Sequence, residues 1–180
     1  MTRGIVLPEK PKIAVIGYSG SGKSTLSEFL LRRFGVPALH LDTVHFLPGW
    51  VERSRDEELV IVREFLDKNS ENGWVIDGNY SDLEHGRRMD EADLIIFMDF
   101  NRISCFIRAR KRARLFKGKA RPSMTEGCEE KFDREFRRWI LWDGRNKKRR
   151  KRFEDIVEKY SEKIVVIKNQ RQLDKFIMGI

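Results

Sequence analysis

The sequence predicts an α/β fold built on a mainly parallel, five-stranded sheet with helices on both faces. Five short apolar runs alternate with segments whose apolar residues recur at helical spacing. The fourth run, ADLIIFMDF, is apolar enough for a strand at the centre of a parallel sheet. The predicted strands cover residues 12–17, 38–42, 74–78, 92–100 and 163–168.

The predicted helices follow most of these strands in order. The first covers 24–34 and should end at Gly35, because glycine favours the left-handed turn that closes a helix. Further helices are predicted over 57–67, 102–117 and 170–178. Residues 113–152 form an irregular charged stretch between the fourth and fifth strands, and long insertions of this kind are often functional lids. We therefore expect one domain over 1–180, with a basic lid insertion at approximately 113–152.

The positive charge is concentrated in one segment. The chain has 37 Lys and Arg against 28 Asp and Glu, a formal net charge of +9. Residues 101–152 hold 20 basic and 6 acidic residues, a local +14, whereas the rest of the chain holds 17 and 22, a local −5. Such a basic patch meets something anionic or is solvated, and the candidates are nucleic acid, a membrane face or ligand phosphates.

The sequence gives no sign of a membrane segment. No stretch approaches the ~20 apolar residues of a membrane span, and the N-terminus has no signal-peptide core or cleavage site. We expect a soluble, cytoplasmic protein without a membrane partner, as a monomer or a homodimer.

A glycine-rich motif stands where the first strand meets the first helix. Residues 17–24, GYSGSGKS, fit the pattern G-x-x-x-x-G-K-[ST] of a phosphate-binding loop (P-loop). Its backbone N–H groups and the helix N-terminus favour an anion, Lys23 would reach the β and γ phosphates, and Ser24 would complete the shell of a Mg²⁺ ion. We expect ATP or another NTP, with Mg²⁺, to be held by Gly17, Ser19, Gly20, Ser21, Gly22, Lys23, Ser24 and Thr25.

Two aspartates follow the next two strands. Asp42 ends the second predicted strand and Asp77 ends the third, so both should project from the carboxyl edge of the sheet, where open α/β folds bind ligands. Carboxylates there can orient Mg²⁺ through water or accept a proton from an attacking hydroxyl, and the alternative is that each caps a turn. We assign Asp42 to acceptor binding and catalysis. We assign Asp77 to substrate binding and, with Ser24, to the metal.

The helix after the fourth strand carries two pairs of arginines. Arg108 and Arg112 are four residues apart and share one face, whereas Arg110 and Arg114 share another. Guanidinium groups bind phosphate oxygens in bidentate fashion and stabilise charge on a transferring phosphoryl group. One face could serve an active site while the other is solvated, and the sequence leaves open which.

These motifs resemble those of the bacterial DNA topology modulation protein (FlaR-like) group, a branch of the adenylate-kinase-like P-loop proteins. The resemblance covers residues 12–177 and rests on GYSGSGKST, GWVIDGNYS, ADLIIFMDFNR, RPSMTEGCEEKFDREFRRWILW and KNQRQLDKFI. It implies a nucleoside monophosphate kinase-like core with strand order 2-3-1-4-5, an acceptor region after the second strand and a mobile lid after the fourth.

The resemblance also implies roles for individual residues. Arg108 and Arg112 are similar to the Arg-x-x-x-Arg that opens the lid, and Asp77-Gly78 is similar to the Asp-Gly of adenylate kinases. The family's Phe-Pro-Arg is replaced here by Asn79-Tyr80-Ser81, which removes an acceptor-phosphate arginine. Arg88 stands where this branch has an arginine, and we expect it to bind substrate.

Two functions follow as hypotheses. The first is an ATP- and Mg²⁺-dependent phosphotransferase for a nucleotide or small-molecule acceptor, with Lys23, Asp42, Arg108 and Arg112 as its catalytic residues. The second is a nucleotide-binding, DNA-associated protein that uses the basic run 147–152. In that protein the aromatic neighbours of the run, Trp139, Trp142 and Phe153, would stack on bases.

Overall fold

The computed structural model describes residues 6–180. Its strands, in chain order, are β1 (Lys12–Gly17), β2 (Ala38–His40), β3 (Phe46–Leu47), β4 (Val51–Glu52), β5 (Trp74–Asp77), β6 (Leu94–Met98) and β7 (Ile164–Ile167). Its α-helices are α1 (Lys23–Phe34), α2 (Leu41–His45), α3 (Arg55–Lys68), α4 (His85–Glu91), α5 (Arg102–Leu115), α6 (Arg134–Leu141), α7 (Lys147–Lys159) and α8 (Gln170–Met178).

Five parallel strands form the main sheet, in the order β2-β5-β1-β6-β7. Numbered among themselves, these five strands have the order 2-3-1-4-5, which confirms the predicted topology. β1 lies at the centre and is buried along Ile13–Gly17, while β5 and β6 are buried over their whole lengths. The α/β fold with helices flanking a parallel sheet is therefore as the sequence predicted.

The first strand–turn–helix unit forms for the reasons visible in the sequence. α1 begins directly after Gly22, whose φ of 99° lies in the left-handed region, and ends at Gly35 with φ 62°. Both conformations are strained for a residue with a side chain, so the two glycines fix where α1 begins and ends.

The short elements between β2 and α3 were not predicted, and they change the position of Asp42. β2 ends at His40 rather than at residue 42, and α2 follows at once because Leu41 and Val44, one helical turn apart, are both buried. Asp42 therefore lies in the first turn of α2, not at a strand end. The antiparallel pair β3–β4 forms a separate hairpin after α2. Helix α4 was also missed.

The predicted insertion at 113–152 is more regular than expected. Residues 116–133, named here the covering loop, connect α5 to α6, and α7 begins within the basic run. The Asn146 side chain accepts a hydrogen bond from the Arg149 amide and so caps α7, while Phe153 and Ile156 bury one face of that helix in the core. The basic run is thus the first part of a core helix.

Over residues 6–180, the helices are all too short or too polar to cross a membrane.

Candidate active site

The loop between β1 and α1 has the shape of an anion-binding turn. Gly17, Gly20 and Gly22 all have positive φ values, of 141°, 80° and 99°. The Ser21 amide donates to the Tyr18 carbonyl at 3.1 Å, and the Ser21 side chain is fully buried beneath the turn. Because α1 opens immediately behind this turn, free backbone N–H groups and the positive end of a 12-residue helix face the same point.

Lys23 stands at the centre of the charged groups around this loop. Its Nζ donates to the Tyr18 carbonyl at 3.3 Å. Burial lowers the pKa of Lys23, whereas the negative charges of Asp42 and Asp77 oppose that shift. The ammonium is therefore bonded to the P-loop and feels the charge of both aspartates that the sequence singled out.

Ser24 and Asp77, the two residues that the sequence assigned to the metal, contact each other directly. The Ser24 hydroxyl donates to Asp77 Oδ1 at 3.3 Å, and Asp77 is almost fully buried at the end of β5. A hydroxyl and a carboxylate are hard oxygen ligands, which suits Mg²⁺ better than the softer transition metals. The donor set of these two side chains fits the ion that the P-loop implies.

Asp42 is held by two partners, neither of which the sequence indicated. The Tyr80 hydroxyl donates to Asp42 Oδ1 at 3.1 Å, and an Nη of Arg121 donates to Asp42 Oδ2, also at 3.1 Å. Burial, followed by the charge of Asp42, raises the pKa of Tyr80, which keeps this hydroxyl a donor. Arg121 was missed because it lies close to Lys117 and Lys119 in a loop without periodicity, where nothing in the sequence distinguishes it from these neighbours.

The covering loop reaches Asp42 because it is anchored on the β3–β4 hairpin. Thr125 Oγ1 donates to the Phe46 carbonyl at 2.5 Å, and the Gly49 amide donates to the Gly127 carbonyl at 3.2 Å. Cys128 is fully buried, with its Sγ 3.2 Å from the Leu47 carbonyl. These contacts fix the loop against the hairpin, so that it covers the end of the cleft at which Asp42 lies.

The structure settles which arginines of α5 face the cleft. Arg108 donates to the Ser21 carbonyl at 3.0 Å, with its guanidinium carbon 4.2 Å from the centre of the Phe100 ring. Arg112 donates to Glu130 of the covering loop at 2.6 Å and 2.5 Å. Arg108 and Arg112 line the cleft, and the exposed Arg110 and Arg114 point away from it.

Arg88 is not brought to this site. Its side chain is fully buried and donates to the Leu83 carbonyl at 2.7 Å and the Tyr80 carbonyl at 2.6 Å. Burial lowers the pKa of Arg88 to about 10. Because α4 turns this side chain inward, away from the cleft, the expectation that it binds substrate needs correction: in this structure Arg88 supports the backbone that carries Tyr80.

One open cleft of about 1810 Å³ joins the P-loop to the Asp42 cluster. Six of the predicted loop residues line it, together with part of the basic run; they are Ser19, Gly20, Gly22, Lys23, Ser24, Thr25, Lys148, Arg149, Lys151 and Arg152. An Nη of Arg152 donates to the Asn79 carbonyl at 3.0 Å. Four of the six consecutive cations of the run 147–152 thus form one wall of the cleft.

The three aromatic side chains near the basic run have different surroundings. Phe153 is buried and stacks on Phe97 with 4.5 Å between ring centres. Trp139 Nε1 donates to the Ser19 hydroxyl at 3.1 Å, beneath the Arg149 guanidinium. Trp142 is 58% exposed. Only Trp142 has most of its surface open.

Comparison with solved structures identifies the fold. The deoxyadenosine kinase from M. mycoides is 15% identical, over 93% of this chain and 97% of that chain, with a TM-score of 0.53. A sugar kinase from a Janibacter species is 12% identical, over 94% of both chains, with a TM-score of 0.51. A gluconokinase from Sinorhizobium meliloti is 17% identical, over 94% of this chain and 88% of that one, with a TM-score of 0.47.

This is the fold of P-loop kinases. At these identities the likeness shows the fold alone. No family model matches the chain, and no curated protein matches it either.

Proposed function

We propose that this protein is an ATP- and Mg²⁺-dependent phosphotransferase that transfers the γ-phosphoryl group to a hydroxyl of a small acceptor, a nucleotide or a related metabolite. One observation carries the proposal: a P-loop with its lysine and a carboxylate bound to an arginine line the same cleft. Phosphoryl transfer needs these two ends, because its catalysis is mainly positioning and charge stabilisation.

The donor end would hold the triphosphate. The P-loop amides and Lys23 bind its phosphates, and Arg108 lies beside the loop backbone at Ser21. Ser24 and Asp77 would hold Mg²⁺, which when bound neutralises charge on the β and γ phosphates. Arg112 faces the same cleft from α5, where it forms an ion pair with Glu130 of the covering loop.

The acceptor end would orient and deprotonate the hydroxyl. Asp42 accepts the proton, and an acceptor hydroxyl reaches it by replacing one of its two partners, Tyr80 or Arg121. Once released from Asp42, the Arg121 guanidinium is free to bind oxygens of the transferring phosphoryl group.

The first test asks for donor binding and transfer together. Calorimetry should detect MgATP binding by the wild type and little or none by Lys23→Ala. A screen with labelled ATP across nucleoside monophosphates, nucleosides, sugars and hydroxy acids should then yield one phosphorylated acceptor class. Asp42→Asn should abolish transfer but keep ATP binding. Arg110→Ala, outside the cleft, should leave both ATP binding and transfer unchanged. A wild type that binds no ATP would refute the proposal.

A second candidate function is association with nucleic acid, which would place the chain in the DNA topology modulation (FlaR-like) group. It is supported by the exposed cations of 147–151 and the exposed ring of Trp142. Gel-shift titration with single-stranded DNA at two salt concentrations tests it. Tight, salt-sensitive binding without ATP would favour this function, whereas hydrolysis or transfer without DNA binding would favour the kinase.

A further inference from the structure

His40 lies between two carboxylates directly behind the proposed metal site. Its Nδ1 contacts Asp77 Oδ2, and its Nε2 is 3.1 Å from Glu28 Oε1. The His40 side chain is only 12% exposed and that of Asp77 only 4%. No sequence motif pointed to this histidine as more than a neighbour of Asp42.

Two independent features of the fold bring these groups together: the register of two strands and the spacing of two residues on a helix. His40 and Asp77 are direct partners across the parallel pair β2–β5. Ser24 and Glu28 are one turn apart on the same face of α1, the helix that packs on these strands. The result is a continuous chain of contacts, from Ser24 to Asp77, from Asp77 to His40 and from His40 to Glu28.

The hydrogen bonds in this chain of contacts fix the orientation of the Asp77 carboxylate. An ionised carboxylate only accepts hydrogen bonds, so the His40 Nδ1 beside Asp77 is the donor of this contact. One oxygen of Asp77 is then held by His40 and the other by Ser24. A carboxylate held at both oxygens loses its freedom to rotate, and its orientation toward the metal position is set before ligand arrives.

We infer that His40 is a positioning residue for the Mg²⁺ site: it holds Asp77 in the orientation that Ser24 and the metal require, and Glu28 holds His40. This inference rests on the proposed function, because it presupposes that Ser24 and Asp77 receive Mg²⁺ with the nucleotide. Hydrogen-bonding partners of metal ligands typically contribute a factor of about 10 to 100 in metal affinity.

The experiment separates the metal from the nucleotide. The affinity for ADP is measured by calorimetry in excess Mg²⁺ and again in EDTA. The dissociation constant in EDTA divided by the dissociation constant in Mg²⁺ gives the ratio that reports the metal's contribution. His40→Leu should reduce this ratio about 10- to 100-fold, with metal-free ADP binding unchanged. The amide N–H₂ of His40→Asn can still donate to Asp77. Because this hydrogen bond to the metal ligand is kept, the ratio for His40→Asn should remain within about threefold of the wild-type ratio.

Two further variants protect the test against misfolding. Glu28→Ala removes the outer partner from α1 without touching the sheet, and the ratio should fall in the same direction by a smaller factor. Arg33→Ala, on the exposed side of the same helix, is the matched control and should match the wild type.

The outcomes separate the two levels of the proposal. An unchanged ratio in His40→Leu would overturn the positioning role and leave the phosphotransferase intact. A folded His40→Asn as weak as His40→Leu would also overturn it, because packing rather than the hydrogen bond would then matter. A wild type that binds no ADP in Mg²⁺ would overturn the proposed function, and this inference with it.

Discussion

His85 should make the protein less stable as the pH falls below neutrality. Burial, together with the cations Arg88, Arg152 and Lys159, lowers the pKa of His85 to about 4. Its Nε2 is enclosed without a hydrogen-bond partner among residues 6–180. Between the ordinary histidine pKa of about 6.5 and the folded value, the unfolded chain binds a proton that the folded protein does not, so stability is lost as the pH falls.

The magnitude follows from these two pKa values. Between pH values of about 7.5 and 5.0, the full shift corresponds to a loss of about 2 kcal/mol in the free energy of unfolding. His85 is partly exposed, so solvent screening reduces this, and we expect about 1 to 2 kcal/mol. Below that window ordinary carboxylates titrate as well, so the comparison ends there.

Urea unfolding of the wild type and of His85→Gln at the two pH values measures the effect. His40 acts in the opposite sense: burial disfavours its charged form, but hydrogen bonds and charges from Asp77 and Glu28 outweigh this and raise its pKa. It therefore stabilises the fold at low pH, equally in both proteins, and cancels from their difference. If wild type and His85→Gln lost the same stability, the assignment of a neutral, desolvated His85 would be wrong.

Three further predictions concern stability. Gly17→Ala should lower the free energy of unfolding by more than about 2 kcal/mol, because the new Cβ would lie 2.5 Å from a backbone carbonyl at a φ of 141°. Gly86→Ala, in open space on α4, should be neutral or stabilising by up to about 1 kcal/mol. Urea unfolding of both variants measures the difference. Phe153→Ala should lower the free energy of unfolding by about 3 to 5 kcal/mol, whereas the exposed Trp142→Ala should stay within about 0.5 kcal/mol. Thr125→Val should accelerate amide hydrogen exchange across the covering loop alone, by a factor equivalent to about 1 kcal/mol, and equal protection in both proteins would contradict the anchoring role.

The long elements of the fold could be predicted because their signals are local. The five main strands lie within apolar runs, and the helices α1, α3, α5 and α8 show apolar residues at helical spacing, whereas the charge of the 13-residue α7 hid its short apolar face. The hairpin β3–β4 has two residues in each strand, and α2 has five, too few to show one. These short elements form because the covering loop and α3 pack against them, which is information held far away in the sequence.

The site divides in the same way. The positions of Ser24 and Asp77 could be predicted, because the motif places one residue and the strand end places the other; their direct contact could not. The role expected of Arg88 needed correction, because an arginine shows its charge in the sequence but not its burial. Arg121 could not be found, because 79 residues separate it from Asp42 and only the folded covering loop joins them.

The sequence by itself determined the donor end of this protein: a strand, a glycine turn and a helix, all within residues 12–34, whose geometry follows from backbone sterics and local spacing. Only the tertiary structure decided the acceptor end and the support of the metal site. Those depend on the register that sets His40 against Asp77 and on the loop that carries Arg121 to Asp42. Contacts between distant segments arise from how apolar faces pack together, and no contiguous stretch of residues encodes them.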